Sequence, residues 1–149
     1  MQNKTLSEYI SKLKSFINAN DYHPCVELLL EAIQHYPKEE KLKLNLGNIY
    51  KILELKDEAI GVYTSLLETP FSSIANNNLS LIMLELGENQ KCIEYAREAL
   101  KSNKDFNDAK YNLAVGLFEK KEYLKSLNIC LELIDDSDYK NRAFELKIR

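Results

Sequence analysis

Residues 39–68 read EEKLKLNLGNIYKILELKDEAIGVYTSLLE, and two apolar stripes run through them. Leu42, Leu46, Ile49, Tyr50 and Leu53 recur at helical spacing, and so do Ala59, Ile60, Tyr63, Leu66 and Leu67. The short stretch Glu54-Leu55-Lys56-Asp57 separates them. Neither helix can bury its stripe alone, and so short a connection makes the two antiparallel neighbours. We call the first helix A and the second B.

The same layout recurs along the chain. A column of small residues reads Cys25, Ala59, Cys92 and Ser126, with steps of 34, 33 and 34. Large apolar residues follow it at Val26, Ile60, Ile93 and Leu127. A third column, upstream, reads Phe16, Tyr50, Met83 and Leu117 with the same steps. A fixed period of this size means stacked supersecondary units, each burying its face against the next. Such a design implies a binding scaffold more than a reaction.

The other A-to-B turns fall at Ala19–Tyr22, Leu86–Asn89 and Lys120–Tyr123. Gly87 suits a helix end, where glycine tolerates the left-handed conformation. Pro37 and Pro70 lie between units, where a helix must stop. Pro24 fits the first turn of its B helix, where no amide partner is lost. The step of 33 arises between Leu67 and Asn78, around Thr69-Pro70, in a loop between units. On helix A the pairs Leu46-Gly47, Leu79-Ser80 and Leu113-Ala114 set a large residue beside a small one, and we expect Ala59, Cys92 and Ser126 to stand opposite them. A bulky residue at such a crossing would overpack it.

Composition agrees with this reading. The chain has 149 residues, the size of one ordinary domain, and only 4 Gly and 3 Pro, too few for the turns of an all-β protein. Its 20 basic and 23 acidic residues are interspersed without long like-charge runs. The pI of 5.5 argues against nucleic acid as a partner. The cations from Lys140 to Arg149 read as a solvated helix end. The N-terminus has no apolar signal region, and no apolar run approaches the ~20 residues of a membrane span, so a cytoplasmic protein without membrane contact is expected.

Chemistry-bearing motifs are missing. The three cysteines lack CxxC spacing, and Cys25, Cys92 and Cys130 fall in packing columns, so they read as small apolar core residues. Only His23 and His35 exist, and neither has a partner at ligand spacing. No phosphate loop and no nucleophile–base pair is present. Asp135-Asp136-Ser137-Asp138 lacks the glycine and distal glutamate of a calcium loop and reads as a solvated loop. We therefore expect no catalytic residues, no metal site and no cofactor.

The pattern resembles the tetratricopeptide repeat, a unit of about 34 residues carrying W-x2-L-G-x2-Y, then Ala, Phe and Pro. The best match is Leu46-Gly47-x2-Tyr50 with Ala59, Tyr63 and Pro70. Next come Leu79-Ser80-x2-Met83 with Gly87, Cys92, Ala99 and Leu100, and Leu113-Ala114-x2-Leu117 with Ser126 and Leu133. The first unit has Lys12-Leu13-x2-Phe16 in its A helix and recovers with Cys25, Ala32 and Pro37. The tryptophan is absent throughout. The resemblance implies an all-α, right-handed α-solenoid of stacked antiparallel pairs, about nine helices in a single array. The repeats are expected at about 6–38, 39–71, 72–105 and 106–138, with a terminal helix at 139–149 carrying Tyr139, Ala143, Phe144 and Leu146. That last helix is either a cap or the start of a further unit.

In this family the A helices line the inner surface, where peptides bind. The resemblance then points Asn45, Asn78 and Asn112 into a groove, with Asn48 beside Asn45. A carboxamide can pair with both the N–H and C=O of an extended peptide, and a ladder of them occurs in some sugar-transferring members. Asn77, Leu81, Leu84, Tyr111, Val115 and Phe118 are candidate pocket residues, with Lys14, Lys41 and Lys51 as charged contributors. Two readings stand for the asparagines, which also suit bridges between neighbouring A helices, and for Tyr111 and Phe118, which also suit packing between units. The carboxylate-clamp type, which grips a chaperone's acidic C-terminus, resembles this chain at Asn48 and Asn78, but Asp108 and Asn112 stand where it needs two cations. The expected function is a non-catalytic protein-interaction module taking a partner's peptide segment or helix. The alternatives are a regulatory or docking domain of a larger enzyme and a self-associating scaffold.

Overall fold

A computed structural model describes residues 4–134, 139, 140, 142 and 143. Among them every regular element is helical, and the chain falls into two compact units, 1–71 and 72–149. The first holds α1 (Leu6–Asn18), α2 (His23–His35), α3 (Glu40–Ile52) and α4 (Lys56–Thr64). The second holds α5 (Ser72–Glu85), α6 (Asn89–Ser102), α7 (Asn107–Glu119) and α8 (Tyr123–Leu133). Within each unit successive helices pack on one another, and α5 also packs directly on α7.

The odd-numbered helices all stop in the same way. The residues just past their ends, Asn20, Glu54, Gly87 and Lys121, have φ of 55°, 59°, 75° and 64°. This left-handed step lets the next N–H reach back to a carbonyl of the last turn. Asp21 donates to Phe16 and Leu55 to Tyr50, each at 2.9 Å, while Glu88 donates to Met83 at 2.8 Å and Glu122 to Leu117 at 2.9 Å. A second bond joins Asn20 to Ile17, Glu54 to Lys51, Gly87 to Leu84 and Lys121 to Phe118. Each turn is thus a Schellman motif. The accepting residues are the third column of the period.

The small column is fully interior: Cys25, Ala59 and Cys92 are 0% exposed and Ser126 is 2%. Ser126 stands against Ala114, donating from Oγ to the Ala114 carbonyl at 2.7 Å. Beside Gly47 the ring of Tyr63, one turn beyond Ala59, comes closest. Cys92 turns to α7, its thiol donating to the Asn112 carbonyl at 3.4 Å. Cys92 and Ser126 thus each lie against a backbone carbonyl of α7.

Helix α4 is shorter than its stripe predicts. Regular helix ends at Thr64, and the chain continues through i→i+3 bonds, Leu66 to Tyr63, Leu67 to Thr64 and Thr69 to Leu66. Leu66 is still fully buried. Pro24 lies in the first turn of α2, as its spacing predicts. All three cysteines are free and buried, and burial pushes the Cys92 thiol up to about 11.

At the C-terminal end Tyr139, Lys140, Arg142 and Ala143 are helical, and Ala143 is fully buried. The rest of the expected terminal helix, including Phe144 and Leu146, and the Asp135–Asp138 loop lie outside the described residues.

Candidate functional site

Helix α1 carries Leu6, Ile10, Leu13 and Ile17, a stripe at i, i+4, i+7 and i+11 that marks one helical face. A capping box starts this helix: Thr5 Oγ1 accepts the Glu8 N–H at 3.3 Å, and the Thr5 N–H donates to Glu8 Oε2 at 2.6 Å. Glu31 of α2 holds the same end, accepting from Lys4 Nζ at 2.9 Å and from the Tyr9 hydroxyl at 2.8 Å. Those two bonds draw the Glu31 carboxyl below its ordinary value. Burial, and then Glu31, push the Tyr9 phenol up to about 12.

A cleft of about 390 Å³ opens between α1 and α3, floored by that stripe and by Leu42. Lys14, Glu39, Lys41 and Asn45 complete its lining. Leu13 and Leu42 are buried, whereas Ile10 is 37% and Ile17 38% exposed. Neither Lys14 nor Lys41 has an ion-pair partner among the described residues. The cleft thus joins apolar surface still in contact with water, two lysines, one carboxylate and one carboxamide.

Asn45 lines this cleft. Asn48 instead turns to α4, where its Oδ1 accepts the Tyr63 hydroxyl at 2.7 Å. Tyr63 is fully buried, and burial pushes its phenol up.

In the second unit the expected ladder takes a different form. Asn77, Asn78 and Asn112 are 8%, 7% and 5% exposed. The Asn112 amide donates to Asn77 Oδ1 at 3.1 Å and to Ser80 Oγ at 2.9 Å. Ser80 donates in turn to the Asn77 carbonyl at 2.7 Å. This buried network bridges α5 and α7, the second of the two readings the sequence leaves open. Asn78 Nδ2 donates to the Ile74 carbonyl at 3.1 Å, and Asn76 does likewise to Ser72 at 2.9 Å.

Tyr111, Val115 and Phe118 pack around Ala114, Cys130, Leu133 and Ala143. The Arg142 guanidinium lies 4.4 Å from the centre of the Tyr111 ring, and Tyr123 meets Phe118 edge-on at 5.3 Å. Asp108 accepts a hydrogen bond from the Tyr139 hydroxyl. Leu81 is half-buried on α5. The structure therefore brings Asn45, Lys14 and Lys41 together in one cleft, and joins Asn77 and Asn112 elsewhere, inside the second unit.

Sequence reasoning missed Ile10 and Ile17, although the period aligns Ile10 with Asn77 and Tyr111 and Ile17 with Lys51, Leu84 and Phe118, all candidates for the groove. The apolar stripe along α1 is a second signal for them. No group of three or more metal-ligating side chains occurs among the described residues. No helix among them is long and apolar enough to cross a membrane.

Paired antiparallel helices closed by repeated Schellman turns, with a small buried column, define a helical-repeat protein, and the fold is that of the tetratricopeptide repeat. The chain superposes on the solved structure of MamA with a TM-score of 0.81 at 18% identity, over 93% of this chain and 76% of that one. A tetratricopeptide repeat protein from Parabacteroides merdae gives 0.80 at 23% identity, over 92% and 55%. YrrB, described as a tetratricopeptide repeat protein with an unusual peptide-binding site, gives 0.76 at 15% identity, over 94% and 73%. No protein-family model matches the chain. No curated protein matches it in sequence.

Proposed function

We propose that this protein is a non-catalytic protein-interaction module that holds a segment of a partner protein in the cleft between α1 and α3. The observation that carries the reading is the half-open stripe of Ile10 and Ile17 beside Lys14, Lys41 and Asn45. Burying one such aliphatic side chain is worth about 1.5–3 kcal/mol, and micromolar binding needs about 8 kcal/mol. Two or three apolar anchors therefore supply most of it, and the carboxamide of Asn45 adds about 1 kcal/mol for a backbone contact. The fold shared with YrrB, itself a peptide-binding repeat protein, supports the reading.

The test is selection of binders from a random peptide library against the whole chain, repeated against Ile10→Asp and Asn45→Ala. The expected result is a set of peptides with apolar anchors whose binding is lost in Ile10→Asp and weakened in Asn45→Ala, while both variants keep the wild-type circular dichroism. Binders indifferent to both substitutions would exclude this cleft as the site.

A further inference from the structure

We infer that the occupant of the α1–α3 cleft is an amphipathic α-helix flanked by carboxylates, an inference that rests on the interaction reading above. The apolar floor is laid out along a helix axis. Leu6 to Ile17 spans about 16 Å at the rise of an α-helix, or three turns. Its two exposed members, Ile10 and Ile17, are two turns apart on one face. A partner helix lying along this stripe repeats its own apolar residues every three or four positions and meets the floor along its whole length. An extended strand turns alternate side chains away from it.

Charge sets the flanks of the occupant. Lys14 on α1 and Lys41 on α3 stand on opposite sides of the cleft, against the single carboxylate of Glu39. Both lysines lack an internal ion-pair partner among the described residues. Carboxylates on either shoulder of the incoming helix meet these cations, while lysines there face repulsion.

The experiment uses the whole chain and three synthetic peptides of about four turns. One is lactam-bridged, with leucines at i, i+4, i+7 and i+11 and glutamates flanking the stripe. The second replaces those glutamates with lysines. The third keeps the composition of the first but carries two internal prolines, which prevent the helix. Affinity is read by fluorescence anisotropy, and the site by amide chemical shifts.

The acidic helix is expected to bind, with shifts centred on residues 6–17 and 39–45. Its affinity should fall about tenfold or more in Ile10→Asp, from the lost apolar contact. In Lys41→Glu it should fall about fivefold, with the lysine-flanked peptide gaining in its place. Lys41 is exposed, so this second variant tests the inference even if Ile10→Asp does not fold. Equal binding of the proline-broken peptide would overturn the helix while leaving an interaction site in the cleft. Equal binding of the acidic and basic helices would overturn the charge assignment. If the chain sediments as a dimer that Ile10→Asp dissolves and no peptide displaces, the occupant is a second copy and the inference falls. If neither these probes nor any library peptide shifts the cleft residues, both readings fall together.

Discussion

Gly47 of α3 lies against the ring of Tyr63 of α4 so closely that a methyl group on Gly47 would sit 2.7 Å from Tyr63 Cε1. Tyr63 cannot easily retreat: it is fully buried and its hydroxyl is held by Asn48. Gly47→Ala is therefore expected to destabilise the protein by about 1–3 kcal/mol, as overpacking does, despite the better helix propensity of alanine. The urea midpoint measures it. The double variant with Tyr63→Leu should recover part of the loss, because the clash is with the ring. An unchanged midpoint in Gly47→Ala would mean that the crossing is looser than these distances.

Glu54 and Lys121 hold left-handed backbone, where a Cβ costs about 1–2 kcal/mol relative to glycine. Glycine also loses more conformational entropy on folding, about 0.5–1 kcal/mol. Glu54→Gly and Lys121→Gly are each expected to stabilise by up to about 1 kcal/mol, and Gly87→Ala to destabilise by a similar amount. Thermal melting of the three variants checks the sign. A loss of stability in both glycine variants would contradict the Schellman geometry of those turns.

The Asn112 amide serves Asn77 and Ser80 inside the α5–α7 crossing. Asn112→Ala removes the donor and leaves buried acceptors without it, at a cost of about 1–3 kcal/mol. Amide hydrogen exchange should show the loss concentrated in α5 and α7. If Asn112→Ala leaves exchange unchanged, the network is not what joins these helices.

Acid and alkali should both loosen the start of α1, for different reasons. The Glu31 carboxyl is drawn below 4.5 by its bonds from Lys4 and Tyr9, and Glu8 is drawn down by Thr5. A depressed folded pKa contributes stability above the unfolded value that is lost as pH falls through the folded one. Protection of residues 4–18 should therefore fall below pH 4.5, and less steeply in Glu31→Gln. Tyr9 is raised from 10.0 to about 12, so the folded state keeps a proton the unfolded chain has released. Stability should decline with rising pH across that interval, and Tyr9→Phe should remove this alkaline slope. Exchange rates of the α1 amides against pH measure both arms.

How much of this was legible beforehand depends on the range of each interaction. Helix type, pairing, turn positions and the buried small column follow from residues a few positions apart and from their recurrence every 33 or 34 positions. Local backbone energetics and apolar spacing decide those features, so one strand of text contains them. Gly87, and after it Asn20, suit the left-handed turn by residue type, whereas Glu54 and Lys121 adopt the same conformation without such a signal.

The destinations of side chains were a different matter. Asn45 and Asn112 occupy equivalent columns, yet one lines an open cleft and the other is turned to Asn77 and Ser80. Cys92 and Ser126 share a column and bond to carbonyls of α7 that are two residues apart, Asn112 and Ala114. The sequence by itself determined the repeat, its hairpins and the interior place of the three cysteines. Only the tertiary structure decided which face stays open, because that depends on how closely neighbouring helices approach: α5 and α7 close on a buried amide network, while α1 and α3 leave a space floored by Ile10 and Ile17.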